Sequence, residues 1–317
     1  MKAIVRSRYG GPDVLSLSEV AKPEPSGDEV LVRVQAASLN RSDWEGLTGK
    51  PLYARIAGLF RPRRPILGSD IAGTVEAVGP SHIRFKPGDE VFGEMSSGFA
   101  EYVCGGGTLA PKPAGLTFEL AAALPQAAGI ALRGITDKGR VRAEQHVLIN
   151  GAGGSAGAFA IELAKAAGAT VTAVDNPGKQ AFLKSVGADH VIDYTREDFT
   201  RGGPKYDLIL DLVAYRSVFA YNRALKPNGR YFFVGGSAWL IVQLLVLGRI
   251  IGRRNGKRLQ MLVAIAKEAD LERAAALCLA GELTVRIDRR YSLEEVPEAL
   301  RALGAGEIQG KAVVVFE

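Results

Sequence analysis

A turn crowded with small residues, lying between an apolar strand and a helix, constrains the fold of this chain more than any other feature. The strand is predicted at His146–Asn150 and the helix at Ser155–Gly168. The turn and the start of the helix comprise Gly151, Ala152, Gly153, Gly154, Ser155, Ala156 and Gly157. Small residues let the backbone approach a ligand, and the first turn of a helix offers unpaired N–H groups and a positive dipole end. In this strand–turn–helix context the motif predicts a binding site for the pyrophosphate of a dinucleotide cofactor.

An acidic residue, Asp175, ends the next predicted strand, Ala169–Asp175. It follows the glycines by about 20 residues, where a carboxylate commonly binds the adenosine ribose of NAD and would repel a ribose phosphate. Lys179 lies close by in the sequence and could hold that phosphate instead. Alternatively, Asp175 caps the following helix, whose Pro177 suits a first turn. The residues favour NADH and leave NADPH open.

The chain changes its pattern near residue 116. Closely spaced strands such as Val30–Val34 and Ile71–Val78 precede that point and predict a compact β-barrel-like unit. Apolar strands then alternate with amphipathic helices up to about residue 264, which predicts an α/β fold with a doubly wound parallel sheet. A final strand–helix–strand run is expected to return to the first domain. The expected domains are 1–117 with 282–317, and 118–281.

Composition limits the classes of partner. The chain has 317 residues, 40 basic and 34 acidic, and the excess of +6 predicts a solvated basic surface, with attraction of phosphate-bearing ligands as the alternative. The densest basic cluster, Arg61, Arg63 and Arg64, lacks a surrounding nucleic-acid-binding module, so no nucleic acid partner is expected. Cys104 and Cys278 form neither a metal motif nor a disulfide framework, which favours a reduced cytoplasmic protein.

The most apolar stretch is Trp239–Ile251, which carries Gln243 and Arg249. It is shorter than the ~20 residues that a helix needs to span a bilayer, so no membrane span is expected. We predict a helix that is buried or at an interface. Contact with a membrane surface or a lipophilic substrate is the alternative.

Several segments resemble the signature of the medium-chain dehydrogenase/reductases. They are Leu67–Val75, Phe85–Gly93, Phe99–Val103, Val186–Tyr194 and Gly310–Val314. The resemblance covers nearly the whole chain and implies a GroES-like, β-barrel-type catalytic domain beside a Rossmann cofactor domain. It is closest to the zinc-independent, quinone-reductase-like branch, which reduces quinones or α,β-unsaturated carbonyls with NADPH or NADH. Homodimerisation through sheet edges of the cofactor domain is also implied.

The resemblance implies that zinc is absent. Zinc-dependent members hold the metal with cysteine, histidine and carboxylate ligands. The corresponding segments read Asn40-Arg41-Ser42-Asp43 and Gly68-Ser69-Asp70 here, and the third position falls near Gln126. Without a Lewis acid to lower the pKa of an alcohol, hydride transfer is easier to an acceptor that already delocalises charge. Ordinary alcohol oxidation is therefore less favoured.

Candidate catalytic and nicotinamide-binding residues follow from the same resemblance. Asn40 and Asp43 match an Asn-x-x-Asp pattern, so Asn40 is expected to contact the nicotinamide ribose or the substrate oxygen and Asp43 to order the loop; an Asx-type turn is the alternative. Tyr53 lies where some enoyl-reducing relatives carry a proton-donating tyrosine, and is a candidate general acid or a packed loop residue. The expected cofactor contacts are completed by Asp211, Val213, Val234, Gly235, Gly236 and Lys311, the last with a surface lysine as the alternative.

Two other functions fit the same motifs. Zinc-free relatives include lens crystallins, so a non-catalytic protein that binds NADPH, either structural or redox-sensing, also has an intact glycine turn. An enoyl-thioester reductase would share the cofactor site and would add a basic groove for a phosphopantetheine-bearing partner.

Overall fold

The computed structural model describes residues 1–56, 58–263 and 265–317. In chain order, the strands are β1 (Lys2–Val5), β2 (Ser16–Glu19), β3 (Val30–Ser38), β4 (Asp70–Val78), β5 (Glu90–Glu94), β6 (Tyr102–Gly105), β7 (Thr108–Pro111), β8 (His146–Asn150), β9 (Thr170–Asp175), β10 (His190–Asp193), β11 (Tyr206–Asp211), β12 (Leu225–Phe233), β13 (Arg258–Met261), β14 (Ile287–Tyr291) and β15 (Lys311–Val315). The helices are α1 (Arg41–Thr48), α2 (Phe118–Ala122), α3 (Pro125–Ala131), α4 (Ser155–Ala166), α5 (Gln180–Val186), α6 (Val218–Ala224), α7 (Ala238–Ile251), α8 (Glu268–Leu279) and α9 (Val296–Gly304).

One compact unit, residues 127–265 with 282–284, is built on a parallel sheet. Its strands lie in the order β10-β9-β8-β11-β12-β13. The central strands β8 and β11 are runs of buried aliphatic residues, as expected where a parallel strand is covered on both faces. In this doubly wound order, ligands bind at the carboxyl edge where the winding reverses, which here lies between β8 and β11. The glycine turn follows β8 directly, so the fold places it at that point.

The other unit comprises residues 1–126, 266–281 and 285–317. Its main sheet has the order β14-β15-β3-β4-β5-β7, with β6 also paired to β3. The strands run antiparallel except for the parallel pair β14 and β15. Ser38, at the end of β3, pairs with Asp70 of β4 and with Val313 of β15. This register brings the chain after β3 and the starts of β4 and β15 to one end of the sheet.

The structure confirms the predicted α/β fold class with a doubly wound parallel sheet. The strand predicted at His146–Asn150 has those bounds in the structure, and the strand predicted at Ala169–Asp175 begins one residue later, at Thr170. The unit boundaries differ from the expected ones, because α2 packs on β3 and β4 and α8 packs on β7. Residues 118–126 and α8 therefore belong to the first unit.

Helix α7 forms where the apolar stretch was noted. Leu240 and Leu244 on its inner side join the core of the second unit, together with Tyr221, Tyr231 and Leu259. In the described residues, no helix combines the length and apolar character needed to cross a membrane.

Candidate active site

The glycine turn has a backbone conformation that larger residues would not tolerate. Gly151 has φ +77°, and a Cβ there would lie 2.5 Å from Cγ2 of Val213. A Cβ on Gly157 would lie 2.4 Å from both Cα and the carbonyl oxygen of Ala152. The absence of side chains at these positions lets the start of α4 pack directly on the turn. The strand end, the turn and the helix N-terminus therefore form one tight cradle.

The residues of this cradle fit a pyrophosphate. Gly154 precedes α4 in an extended conformation, and no side chain caps the helix, so the N–H groups of its first turn have no intrahelical partner. Within the described residues, the buried hydroxyl oxygen of Ser155 also has no hydrogen-bond partner. Unpaired N–H groups and a hydroxyl at a helix N-terminus are the donors that a phosphate accepts from.

Asp175 is held against the glycine turn. Its Oδ2 accepts a hydrogen bond from the backbone N–H of Gly153 at 2.7 Å, and its Oδ1 accepts from Asn176 at 2.8 Å. The next turn is capped by Asn176, whose side chain accepts from Gly178, rather than by Asp175. The buried side chain of Lys179 also lies over the turn, since a Cβ on Gly153 would meet its Cδ at 2.3 Å. The structure thus brings both predicted ribose-side residues to the same place.

A buried carboxylate ties the ends of β8, β11 and β12 together. Asp211 is fully buried and accepts from Asn150 Nδ2 at 2.7 Å and from the hydroxyl of Tyr231 at 3.0 Å. Asn150 Nδ2 also donates to the carbonyl oxygen of Val213 at 3.0 Å. Sequence reasoning listed Asp211 as a cofactor contact, but missed Asn150 and Tyr231. In the structure, the carboxylate positions the backbone of the candidate cofactor edge through Asn150.

The predicted residues after β12 reach the same edge. Ala214 donates its N–H to the carbonyl oxygen of Gly235 at 2.8 Å and forms a bridge with Gly236. Val234 donates to the carbonyl oxygen of Asp211 at 2.9 Å. Residues 211–214 and 234–236 therefore lie side by side at the carboxyl edge of the parallel sheet, as their proposed contact with a nicotinamide requires.

Asp211→Asn is expected to change how stability depends on pH. Burial raises the pKa of Asp211 to about 6, although the hydrogen bonds that the carboxylate accepts act to lower it. The folded state binds this proton more tightly than the unfolded chain, whose aspartate pKa is about 3.9, so the group costs stability progressively as pH rises from about 4 to about 6. Urea unfolding should show the variant gaining about 2–3 kcal/mol relative to the original chain between those pH values.

The matched control for this prediction is Asp13→Asn, at an aspartate whose side chain is exposed. It should leave the difference between the two pH values unchanged. An Asp211→Asn variant that keeps the original pH profile would show that the carboxylate is not the titrating group.

A second polar group is buried in the first unit, at the sheet end described above. We call Asn40, Asp43, Ser69, Asp70 and Lys311 the buried lysine cluster. Lys311 is 3% exposed; its Nζ donates to Asn40 Oδ1 at 2.6 Å and lies 3.6 Å from Asp70 Oδ2. Asp70 is fully buried and also accepts from the backbone N–H of Gln126 at 3.2 Å. The structure therefore brings Lys311 together with the Asn40 and Asp43 pair of the Asn-x-x-Asp pattern.

The chemistry of lysine fixes the orientation of Asn40. An ammonium group only donates, so the atom of Asn40 that faces it must be the amide oxygen. The amide nitrogen is then directed to Ser69 Oγ, which lies 3.5 Å away. Asn40 can offer a ligand a hydrogen-bond donor, and so suits a carbonyl or hydroxyl oxygen.

Two carboxylates share the single ammonium of the cluster. Asp43 accepts from the backbone N–H of Asn40 at 2.7 Å and so orders the start of α1. Burial raises the pKa of Asp43 to about 7 and raises the pKa of Asp70, while the charge of Lys311 opposes both shifts. Burial also lowers the pKa of Lys311. Lys311 supplies the positive charge that compensates these carboxylates, so removing Lys311 leaves buried negative charge unpaired.

Tyr53 lies in a short turn, Leu52–Arg55, and is half-buried. Its hydroxyl donates to Glu45 Oε2 at 3.2 Å. Burial raises the pKa of Glu45. The contact orients the phenol toward α1, and its role as a general acid stays a prediction.

The described residues contain no group of three or more histidine, cysteine, aspartate or glutamate side chains arranged to hold a metal ion. At the position where the resemblance places zinc ligands, the structure has the buried lysine cluster instead.

Comparisons with known proteins agree with the fold. Residues 26–128 match the family model of the alcohol dehydrogenase GroES-like domain, and residues 186–314 match that of the zinc-binding dehydrogenases. A 2-methylene-furan-3-one reductase of Solanum lycopersicum is 33% identical over 99% of this chain and 79% of its own length. A chloroplastic quinone-oxidoreductase homolog of Spinacia oleracea is 30% identical over 99% of this chain and 98% of its own length. The quinone oxidoreductase of Coxiella burnetii has a similar structure, with a TM-score of 0.89 at 30% identity, covering 100% of this chain and 99% of that one.

The fold and the cofactor cradle define a two-unit oxidoreductase with a GroES-like domain and a Rossmann domain. The chain belongs to the medium-chain dehydrogenase/reductase superfamily, in its quinone-oxidoreductase-like branch. The predicted family, fold class and dependence on a nicotinamide cofactor are thereby confirmed.

Proposed function

We propose that this protein transfers a hydride from NADH or NADPH to a quinone or an α,β-unsaturated carbonyl without zinc. The observation that carries the proposal is the cradle between β8 and α4, where Gly157 packs on Ala152 and the Ser155 hydroxyl has no hydrogen-bond partner in the described structure. The relatives are a furanone reductase and quinone oxidoreductases, and their names describe acceptors of this chemical class.

The residues have distinct proposed roles. A bound reduced nicotinamide supplies the hydride, and the first turn of α4 with Ser155 binds the pyrophosphate. The edge formed by Val213, Val234, Gly235 and Gly236 positions the nicotinamide, and Asp211 holds that edge in place. The amide of Asn40 donates to the nicotinamide ribose or the acceptor oxygen, with Lys311 fixing its orientation at 2.6 Å. The protein mainly positions the two reactants.

The proposal that zinc is not needed is supported by the buried lysine cluster. Lys311 places a cation 3.6 Å from Asp70, and both side chains are buried. Quinones and enones accept hydride with charge delocalised over their own atoms, so a Lewis acid is not required to start the reaction. Metal analysis of the purified protein tests this point directly, and stoichiometric zinc would contradict it.

Oxidation of NADH and NADPH against a panel of quinones, enones and crotonyl thioesters tests the reaction. Turnover with a quinone or an enone is expected. Tight cofactor binding without turnover of any acceptor would instead identify a non-catalytic nicotinamide-binding protein. Turnover restricted to crotonyl thioesters would identify an enoyl-thioester reductase.

Asp175 and Lys179 are proposed to set the choice between NADH and NADPH. The carboxylate of Asp175 disfavours a ribose phosphate and Lys179 favours one, so NADH is expected to be the better cofactor. Asp175→Ser should raise the ratio of kcat/KM for NADPH over NADH on the order of ten-fold, because it removes a negative charge beside the ribose. Lys179→Met should lower the same ratio. Ratios that do not move in either variant would place the ribose elsewhere.

We also propose a cytoplasmic homodimer. The strand β13 lies at the edge of the parallel sheet, where pairing with a second copy would extend it. Light scattering of the purified protein measures the oligomeric state, and a monomer at all concentrations would contradict the dimer.

A further inference from the structure

Helix α7 is apolar on both sides. Its inner side, with Leu240 and Leu244, is buried in the core of the second unit. The exposed residues lie on an arc of about 140° at the helical repeat, and comprise Trp239, Val242, Leu245, Val246 and Ile250. Trp239, Leu245 and Ile250 are 67%, 71% and 67% exposed. A contiguous exposed apolar patch is normally an interaction site, so the outer side of α7 suits a partner.

The neighbouring helix extends this apolar surface. α6 packs against α7, and Gln243 of α7 accepts a hydrogen bond from the backbone N–H of Val218, at the start of α6, at 2.9 Å. Phe219 on α6 and Tyr215 just before it are also largely exposed. We call the exposed side chains of these seven residues the α7 surface: Tyr215, Phe219, Trp239, Val242, Leu245, Val246 and Ile250.

The segment of the chain that carries this surface has charged residues of one sign. Residues 212–267 contain ten of the 40 basic residues and none of the 34 acidic residues. The rest of the chain therefore has more acidic than basic residues, although the whole chain carries +6. Arg253 follows α7 and is exposed, and Arg216, just before α6, and Arg223, within α6, are exposed as well. The basic excess of the whole chain is therefore concentrated in the segment that carries the α7 surface.

We propose that the α7 surface docks on an anionic lipid bilayer. Bulky apolar side chains with a tryptophan on one side of a helix, beside exposed arginines, are the combination that lies in the interface of a membrane with acidic lipid headgroups. The apolar side chains enter the boundary between headgroups and acyl chains, and the arginines bind lipid phosphates and carboxylates. This contact lies on the membrane surface and needs no spanning helix.

A second copy of the chain suits this surface less well. In a two-fold dimer the same patch meets itself, so the arginines around one α7 surface would face those around the other. Like charges brought together at an interface cost binding energy, whereas an anionic bilayer supplies the opposite charge. The charge pattern therefore favours the bilayer.

The fluorescence of Trp239 can report directly on binding of the α7 surface to a bilayer. The chain has two tryptophans, and the other, Trp44, is half-buried in the first unit. In the Trp44→Phe variant, emission therefore comes from Trp239 alone. Adding vesicles of phosphatidylcholine with phosphatidylglycerol should shift that emission to shorter wavelength at low salt, and vesicles of phosphatidylcholine alone should shift it much less. Co-sedimentation of the original chain with the same vesicles gives a second measurement that does not depend on the Trp44→Phe variant.

Substitutions separate the apolar and charged parts of the contact. Leu245→Glu should weaken binding to the anionic vesicles on the order of ten-fold or more, since a large apolar side chain no longer leaves water. Its control is Leu279→Glu on α8, a half-exposed leucine in the first unit. Arg253→Gln should weaken binding about five-fold, because one cation near the membrane is lost. Its control is Arg196→Gln, at an arginine whose side chain is 88% exposed.

Three results would overturn the proposal. The first is an unchanged emission and no co-sedimentation with anionic vesicles. The second is equal binding to neutral and anionic vesicles. The third is a shift of Trp239 emission that appears without vesicles and grows with protein concentration, which would assign the α7 surface to a second copy. These measurements use neither cofactor nor acceptor, so their outcome is independent of the proposed reaction.

Discussion

Lys311→Met is expected to lower the free energy of unfolding by about 3–5 kcal/mol, among the largest effects of any single substitution in this chain. The side chain is almost fully buried, and its Nζ contacts Asn40 Oδ1 at 2.6 Å and lies 3.6 Å from Asp70 Oδ2. Methionine fills a similar volume but cannot donate a hydrogen bond or carry charge. The substitution leaves the carboxylates of Asp70 and Asp43 buried without a cation. Removing one partner of a buried ion pair is costly, because the charge that remains is uncompensated.

Urea or thermal unfolding measures this loss of stability. Two further variants test whether the loss comes from the buried charge of Lys311. Lys2→Met removes a lysine that also begins a strand but has a side chain 53% exposed, and should change stability by less than about 0.5 kcal/mol. Adding Asp70→Asn to Lys311→Met should recover part of the loss, because the uncompensated charge is then removed as well. If Lys311→Met were as stable as Lys2→Met, the cluster would not be a compensated charge group.

Gly157→Ala is expected to damage both stability and cofactor binding. The added Cβ would lie 2.4 Å from the backbone of Ala152, which no side-chain rotation relieves. Such overpacking costs about 1–3 kcal/mol, and separating α4 from the turn removes charge-assisted hydrogen bonds to the pyrophosphate. Isothermal titration should therefore show affinity for NADH and NADPH reduced on the order of ten- to a hundred-fold.

Two other glycines separate these effects. A Cβ on Gly154 meets no protein atom within 4 Å, so Gly154→Ala should leave stability unchanged. It should still weaken cofactor binding, because the open space beside it is where the proposed pyrophosphate would lie. Gly11→Ala, in the first unit, also meets nothing within 4 Å and should change neither property. Undiminished cofactor affinity in both Gly157→Ala and Gly154→Ala would place the pyrophosphate away from this turn.

The local pattern of the sequence was sufficient to predict the parallel sheet. Val147, Leu148 and Ile149 form a short aliphatic run that can only be a buried strand beside the glycine turn, and the alternation of such runs with helices requires crossover connections. The concentration of basic residues between 212 and 267 was also present in the sequence and was missed, because net charge was considered for the whole chain. A count along the chain would have found it.

The composition of the two polar networks depended on tertiary structure. Asn150 is adjacent to the glycine turn in sequence, yet nothing local indicates that its amide joins Asp211 to the carbonyl oxygen of Val213. From the sequence, Lys311 was predicted to contact the cofactor, with a surface lysine as the alternative. Its position beside β3 buries it against Asn40, 271 residues away in the chain.

The sequence by itself therefore determined the parallel sheet and the strand–turn–helix cradle between β8 and α4, because hydrophobic periodicity and glycine geometry act over a few neighbouring residues. The tertiary structure alone decided which polar groups are buried together, which lysine compensates which carboxylate and which side of α7 remains exposed. Those outcomes depend on strand register and on packing between distant segments, and the energy of a charge or an apolar side chain is set by the neighbours that it meets there.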